Sequence, residues 1–186
     1  MRSYDREKMS LGARALWILC RAVAIMPHWF KYGCVERVIY FVMRYIVHYR
    51  RKLIISQLTT SFPDRSQRQI KEICNDYYHT LAENFVGTMT LAGMSRSERS
   101  QVLEVTLSEE VKRVVKGRDV VYLSSHLNFW EYAQFSISSF EEHIAICAYH
   151  PLKSKVWDEL FYHLRCNEDA LPVPSGQLIR YFLEHR

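Results

Sequence analysis

The 186-residue chain is poor in the residues that break structure, with six glycines and five prolines, and it holds no internal repeat or biased tract. Beside 48% hydrophobic residues, that scarcity excludes a disordered or fibrous protein and predicts an ordered chain with one real core. The five cysteines, Cys20, Cys34, Cys74, Cys147 and Cys166, are odd in number and widely spaced, with no CxxC. Neither a disulfide frame nor a zinc ribbon is indicated, and a reducing compartment suits the bulk of the chain. No GxSxG elbow makes a nucleophile of Ser124 or Ser125. No HExxH or comparable spacing ties His126, Glu131, His143 and His150 into a metal centre, so neither a metal nor a cofactor is expected.

A clean membrane-spanning run is also missing. Residues 11–30, LGARALWILCRAVAIMPHWF, reach the ~20 residues a span requires, yet Arg14 and Arg21 lie inside them. A central arginine costs about 2.5–3.5 kcal/mol even on the lenient insertion scale. An amphipathic or re-entrant anchor is therefore favoured over a transmembrane helix, with a buried core helix as the alternative. Asp5, Glu7 and the internal arginines, with no small-residue cleavage site, also argue against a signal peptide.

What is present is concentrated at the N-terminus. Residues 1–52 hold eleven Lys and Arg against three acids, net +8, within a whole-chain charge of +5, so the remaining 134 residues sit at −3. Trp17, Trp29, Phe30, Tyr32, Tyr40, Phe41, Tyr45 and Tyr49 are interleaved with those cations. Basic and aromatic side chains together suit an anionic membrane surface. A nucleic-acid arm is the competitor, but such arms are polar between their charges and this one is apolar. The reading divides the chain into a membrane-anchoring helical region, residues 1–48, and an α/β domain, residues 49–186.

Residues 35–60 continue in helical style up to and past the basic cluster Arg50-Arg51-Lys52. Pro63 breaks the chain, and Ser66 with Gln69 reads as a capping box. A long helix follows, with Ile70, Ile73, Tyr77, Leu81, Phe85 and Met89 on one stripe. A short helix runs from Ser108 to Gly117, which is placed as a C-cap glycine. After it the period changes. DVVYLSS, residues 119–125, reads as a buried parallel strand, NFWEYAQFSISSF as a helix and HIAICAYH as a second strand. SKVWDELFYHLR is a helix with Trp157, Leu160, Phe161 and Leu164 inward, ALPVP a third strand, and Ser175 caps a last helix. This alternation predicts an α/β layer on a parallel sheet behind an all-helical region.

On that plan His126 falls at the carboxyl end of the first strand, the rim where open α/β sheets bind ligands. Mid-helix, an offset of five would turn His126 and Glu131 about 140° apart. With the histidine on a strand-end loop and the acid in the first turns of the helix, the imidazole can fold back onto the carboxylate. Such a pair can take a proton from a substrate hydroxyl, the carboxylate fixing the tautomer and stabilising the imidazolium, with no protein nucleophile required. Amide N–H groups after Leu127 are candidate donors to an oxyanion formed from a thioester. The alternative for the same residues is a surface histidine beside a helix carboxylate.

Taken together, YRRKLIISQLTTSFPDRS, HLNFWE and AYHPLKSKVWDELFYHLR resemble the lysophospholipid acyltransferase family that includes the late acyltransferases of lipid A biosynthesis. The similarity spans roughly residues 10–185. Ser61-Phe62-Pro63 fits the family's turn, His126 and Glu131 its catalytic pair, and Trp130 the tryptophan before the acid. Tyr149 and Pro151 flank a second motif, and Arg165 fits its downstream arginine. Four positions depart from the pattern: Asn128-Phe129 where glycine-asparagine is usual, His150 for an arginine, and Gln57 for an asparagine. Family members also run on past the point where this chain stops, so the α/β domain is expected to be incomplete.

The resemblance implies a membrane-associated O-acyltransferase on the cytoplasmic face of the inner membrane. His126 and Glu131 are its expected catalytic residues, and Asn128, Lys153 and Arg165 its expected substrate-binding residues, the last two as phosphate ligands, with a solvated helix charge the open alternative, above all for Lys153. The implied partners are an acyl carrier protein thioester or acyl-CoA as donor, a glycolipid or phospholipid acceptor, and membrane lipids, not nucleic acid. A catalytically impaired or non-enzymatic membrane-bound relative is the competing expectation, carried by Asn128-Phe129 and the short C-terminus.

Overall fold

The computed structural model describes residues 9–102, 106–123, 125–133, 145–166 and 170–185. Helix α1, Leu11–Ala24, starts at Ser10, whose hydroxyl accepts the Ala13 amide and whose extended backbone marks the boundary. It buries Ala13, Cys20 and Val23 against later helices. Pro27 ends the connection, and a second helix, α2, covers residues 28–46 with π-type turns at Lys31–Val35 and Val42–Ile46. Left-handed backbone at His48 (φ 51°) and Arg50 (φ 49°) separates it from α3, Arg51–Ser61. The Ser61-Phe62-Pro63 turn follows as expected, with the Arg65 amide donating to the Phe62 carbonyl at 3.1 Å.

Helix α4, Gln67–Thr90, opens on the anticipated capping box, Ser66 and Gln69 each receiving the other's backbone amide. Its 24 residues make a rod of about 36 Å, long enough to pack on two clusters. Near its start, Cys74 and Tyr78 meet Ile54 of α3, with Tyr40 and Met43 of α2 closing over them. Near its end, Leu91 and Ala92 meet Cys20 of α1, and Leu160 and Leu164 from the C-terminal half. Burying each of these leucines contributes roughly 1.5–3 kcal/mol. The buried face of α4 is Ile70, Cys74, Tyr78, Ala82 and Val86, one residue round from the stripe expected from Ile73, Tyr77, Leu81 and Phe85. Tyr78 and Ile70 fill most of that face, Ala82 and Val86 lie where neighbouring helices approach closely, and Tyr77 remains 43% exposed beside it.

Helix α5 is Arg96–Val102 and α6 is Glu109–Val115. Ser108 caps α6, and Gly117 follows at φ 68°, a left-handed position that glycine takes without steric penalty. The expected strand at residues 119–125 is not formed among the described residues. Val121 and Leu123 stand 86% and 87% exposed in irregular backbone. An apolar strand needs a ladder partner and a covered face, and this segment has neither among the described residues. The helix expected from Asn128 begins instead with a single 3-10 turn at residues 130–133, and its continuation lies outside the described residues.

Strand β1, Ala145–Tyr149, is joined through α7, Lys155–Arg165, to β2, Ala170–Pro174, in parallel register from Ala145↔Ala170 to Tyr149↔Pro174. The described sheet therefore has two strands and the fold is mostly helical, a smaller sheet than the alternation suggested. Pro172 and Pro174 have no N–H, so the β2 amides that donate to β1 are those of the intervening residues, and both proline nitrogens face the outer rim. After a turn at Ser175–Gln177, α8 runs Leu178–Glu184. The N-terminal helix is built into this assembly: the Ser10 amide and hydroxyl both donate to buried Glu159 of α7, at 2.9 and 2.6 Å.

Candidate active site

The sequence places Glu131 two residues after Phe129 and one before Tyr132, and these two aromatics decide where the carboxylate goes. Phe129 and Tyr132 meet edge-on at 5.9 Å and pack on α4 and the buried leucine cluster. The Tyr132 hydroxyl donates to the Gly87 carbonyl at 2.8 Å, and burial pushes its pKa well up, so it stays a donor. Asn128 enters the turn in the left-handed region, φ 48°, and its carbonyl accepts the Trp130 amide at 2.7 Å. The family that the sequence resembles usually has glycine at this position, and asparagine is the side chain that best tolerates the same backbone.

Held this way, Glu131 is buried, and a buried carboxylate needs partners. Arg165, the last residue of α7, donates through Nε to one oxygen at 2.8 Å and through a terminal nitrogen to the other at 2.5 Å. The indole N–H of Trp130 adds a third donor at 3.2 Å. Burial works against the charged guanidinium, but its hydrogen bonds to Glu131 and the carboxylate's charge outweigh it and hold the Arg165 pKa above its ordinary value. Two aromatic faces, Phe161 at 5.1 Å and Tyr149 at 5.9 Å, pack around the same cation. Cys147 of β1 lies close enough to feel both charges; burial raises its thiol, Arg165 lowers it and Glu131 raises it again, with a net rise.

His126 is exposed, and its ring rests against Trp130 at 5.4 Å between centroids. Among the described residues no hydrogen bond joins the imidazole to Glu131. Trp130 lies between them, touching the histidine with its ring and the acid with its N–H. His126 follows irregular backbone, not the end of a strand, so its reach toward the carboxylate is set by the 128–133 turn.

Of the other expected residues, Asn128 and Lys153 are exposed. The loop bearing His150, Pro151 and Lys153 is pinned by the Leu152 amide, which donates to Asp158 of α7 at 2.8 Å. Tyr149 is buried beneath Arg165. Among the described residues no cluster of His, Cys, Asp and Glu has metal-site geometry, and His143 and Ser124 lie outside them. Sequence reasoning places Phe161 on the inner side of its helix but singles out neither Tyr132 nor the Arg165–Glu131 clamp. The signal that could have found the clamp is chemical: an acid flanked by Trp130 and Tyr132 is bound for burial, and burial demands a cation.

A family model described as bacterial lipid A biosynthesis acyltransferase matches residues 6–185. No significant match is found among curated proteins or among solved structures.

Proposed function

Because this chain belongs to the bacterial lipid A biosynthesis acyltransferase family, whose activity is acyl transfer, we propose that it moves a fatty acyl chain from a thioester to a hydroxyl of a lipid acceptor, with His126 as general base and Glu131 as its partner. The observation that carries this reading is the environment of Glu131: a buried carboxylate gripped by Arg165 and Trp130, the same Trp130 whose ring the exposed His126 imidazole rests against. A carboxylate so fixed cannot wander. The histidine lies on the solvent side, where an acceptor hydroxyl arrives.

The imidazole removes the hydroxyl proton as the oxygen attacks the thioester carbonyl. A C–O bond forms, the carbonyl becomes an oxyanion, and its collapse breaks the C–S bond. The departing thiolate takes the proton back from the imidazolium. The amides of Asn128 and Phe129 donate to no acceptor among the described residues, which suits them to the oxyanion. Substrate binding brings the imidazole onto Glu131, since catalytic hydrogen bonds are often long until the substrate is bound. Arg165 serves the carboxylate first, and Lys153, exposed on the pinned loop, is the readier ligand for a donor or lipid phosphate.

The donor is an acyl carrier protein thioester or acyl-CoA, and the acceptor a lipid A precursor or related lipid. Membrane association at the cytoplasmic face of the inner membrane is supported by residues 11–46: Ile18, Ile25, Trp29, Val38, Phe41 and Ile46 are each more than half exposed, interspersed with Arg14, Arg21, Lys31 and Arg37. No described helix is long and apolar enough to cross a membrane, so the contact would be interfacial. Thiol release from an acyl carrier thioester, measured with a lipid A precursor in mixed micelles, tests the reading. His126→Ala and Glu131→Gln are each expected to lower the rate by about 10²–10⁴-fold. A wild-type protein no faster than either variant overturns it.

A further inference from the structure

Glycine inside a helix runs about 1 kcal/mol against alanine, yet Gly87 sits in the last two turns of α4. What occupies its missing side chain is Phe129. A Cβ built at Gly87 would overlap Cδ1 and Cε1 of the Phe129 ring and come within 3.6 Å of Cε2 of Tyr132. The Gly87 carbonyl is meanwhile the acceptor for the Tyr132 hydroxyl at 2.8 Å. A single helix residue therefore holds both flanks of the turn: Phe129 in the notch left by the absent side chain, Tyr132 on the carbonyl. Trp130 and Glu131 lie between those two fastenings.

We propose that Gly87 is a positioning residue for acyl transfer, a notch in α4 that seats Phe129 and so fixes Glu131 together with Trp130, on whose ring His126 rests. The third fastening, Arg165 to Glu131, comes from α7. With Phe129 ejected, the turn would hang from Arg165 and Tyr132 alone, and the carboxylate and indole would move together. Phe129 stands where the resembled family has a polar asparagine, so the turn is seated here by packing. This inference rests on the reading of His126 and Glu131 given above for its catalytic consequence, and on the notch itself for its structural one.

Gly87→Ala is the direct test, made on the full chain with two readouts. In thiol release, kcat falls by on the order of tenfold to a hundredfold while KM for the thioester is unchanged, as expected when a catalytic group is displaced by about an ångström. In amide exchange, residues 130–132 lose protection while the first five turns of α4 keep theirs. Adding Phe129→Leu to Gly87→Ala, which removes the clashing ring edge, restores part of both, whereas Phe129→Leu alone is the milder lesion. Tyr132→Phe, which cuts only the hydrogen bond, gives a smaller exchange effect and guards against Gly87→Ala failing to fold. Unchanged kcat and protection in Gly87→Ala, or no restoration by Phe129→Leu, overturns the inference. If the wild-type protein releases no thiol, the functional reading falls and the exchange data alone decide whether the notch seats the turn.

Discussion

Asn128 shows how much one backbone angle can demand of a side chain. At φ 48° it occupies a region that costs most L-residues about 1–2 kcal/mol, with asparagine and glycine the exceptions. Asn128→Gly is therefore expected to keep thiol release and melting temperature close to wild type. Asn128→Val, β-branched and barred from that region, is expected to cost about 1–3 kcal/mol and to depress kcat, as read by thermal melting and steady-state kinetics. The spacing of His126 and Glu131 and the strings around them suffice to propose the pair. The immediate company of Glu131 was not, because its dominant partner is 34 residues away on another helix. The sequence marks Arg165 as a candidate phosphate ligand, and the structure adds its grip on Glu131, which a sequence cannot show because it does not tell a cation facing solvent from one facing a buried acid.

Helix boundaries were the most readable elements, and each readable one has a local cause. The capping box at Ser66 and the cap at Ser108 depend on residues three apart, so sequence contains the whole interaction. The strand expected at residues 119–125 has no such local warrant: its apolar β-branched run states a preference that only a ladder partner can satisfy. Ser10 combines both kinds of interaction, capping α1 locally and donating twice to Glu159 across 149 residues. Those donations are the largest influence holding the Glu159 carboxyl below its ordinary value of 4.5. A depressed carboxyl pKa stabilises the fold at pH above the unfolded value and loses that contribution as pH falls through the folded one. Ser10→Ala should thus lower stability by about 1 kcal/mol at neutral pH from the lost cap alone. It should also flatten the decline on acidification below pH 4.5, a difference measurable by urea titration across that range.

For the whole molecule, the two buried clusters strung along α4 explain why the sequence read as an anchor plus a domain while the N-terminal helix is built into the core. One face of α1 supplies Cys20 to the cluster shared with α7, and the other presents Ile18 to solvent, as does Ile25 just past its end. If that outer face meets lipid, co-sedimentation with anionic vesicles should weaken as salt rises. Replacing Arg21 or Arg37 by Gln should cost about 1 kcal/mol of binding each, roughly fivefold, and Trp29→Ser should weaken binding with little change in melting temperature. Binding equal on neutral and anionic vesicles would count against the basic contribution. The two prolines of β2 have a last consequence, for how the sheet can be extended. A strand laid along that rim would find oxygens but no hydrogens at alternate positions, so recruitment there is chemically deaf. Among the described residues only β1 keeps an N–H at every position, which gives this small sheet a preferred direction of growth.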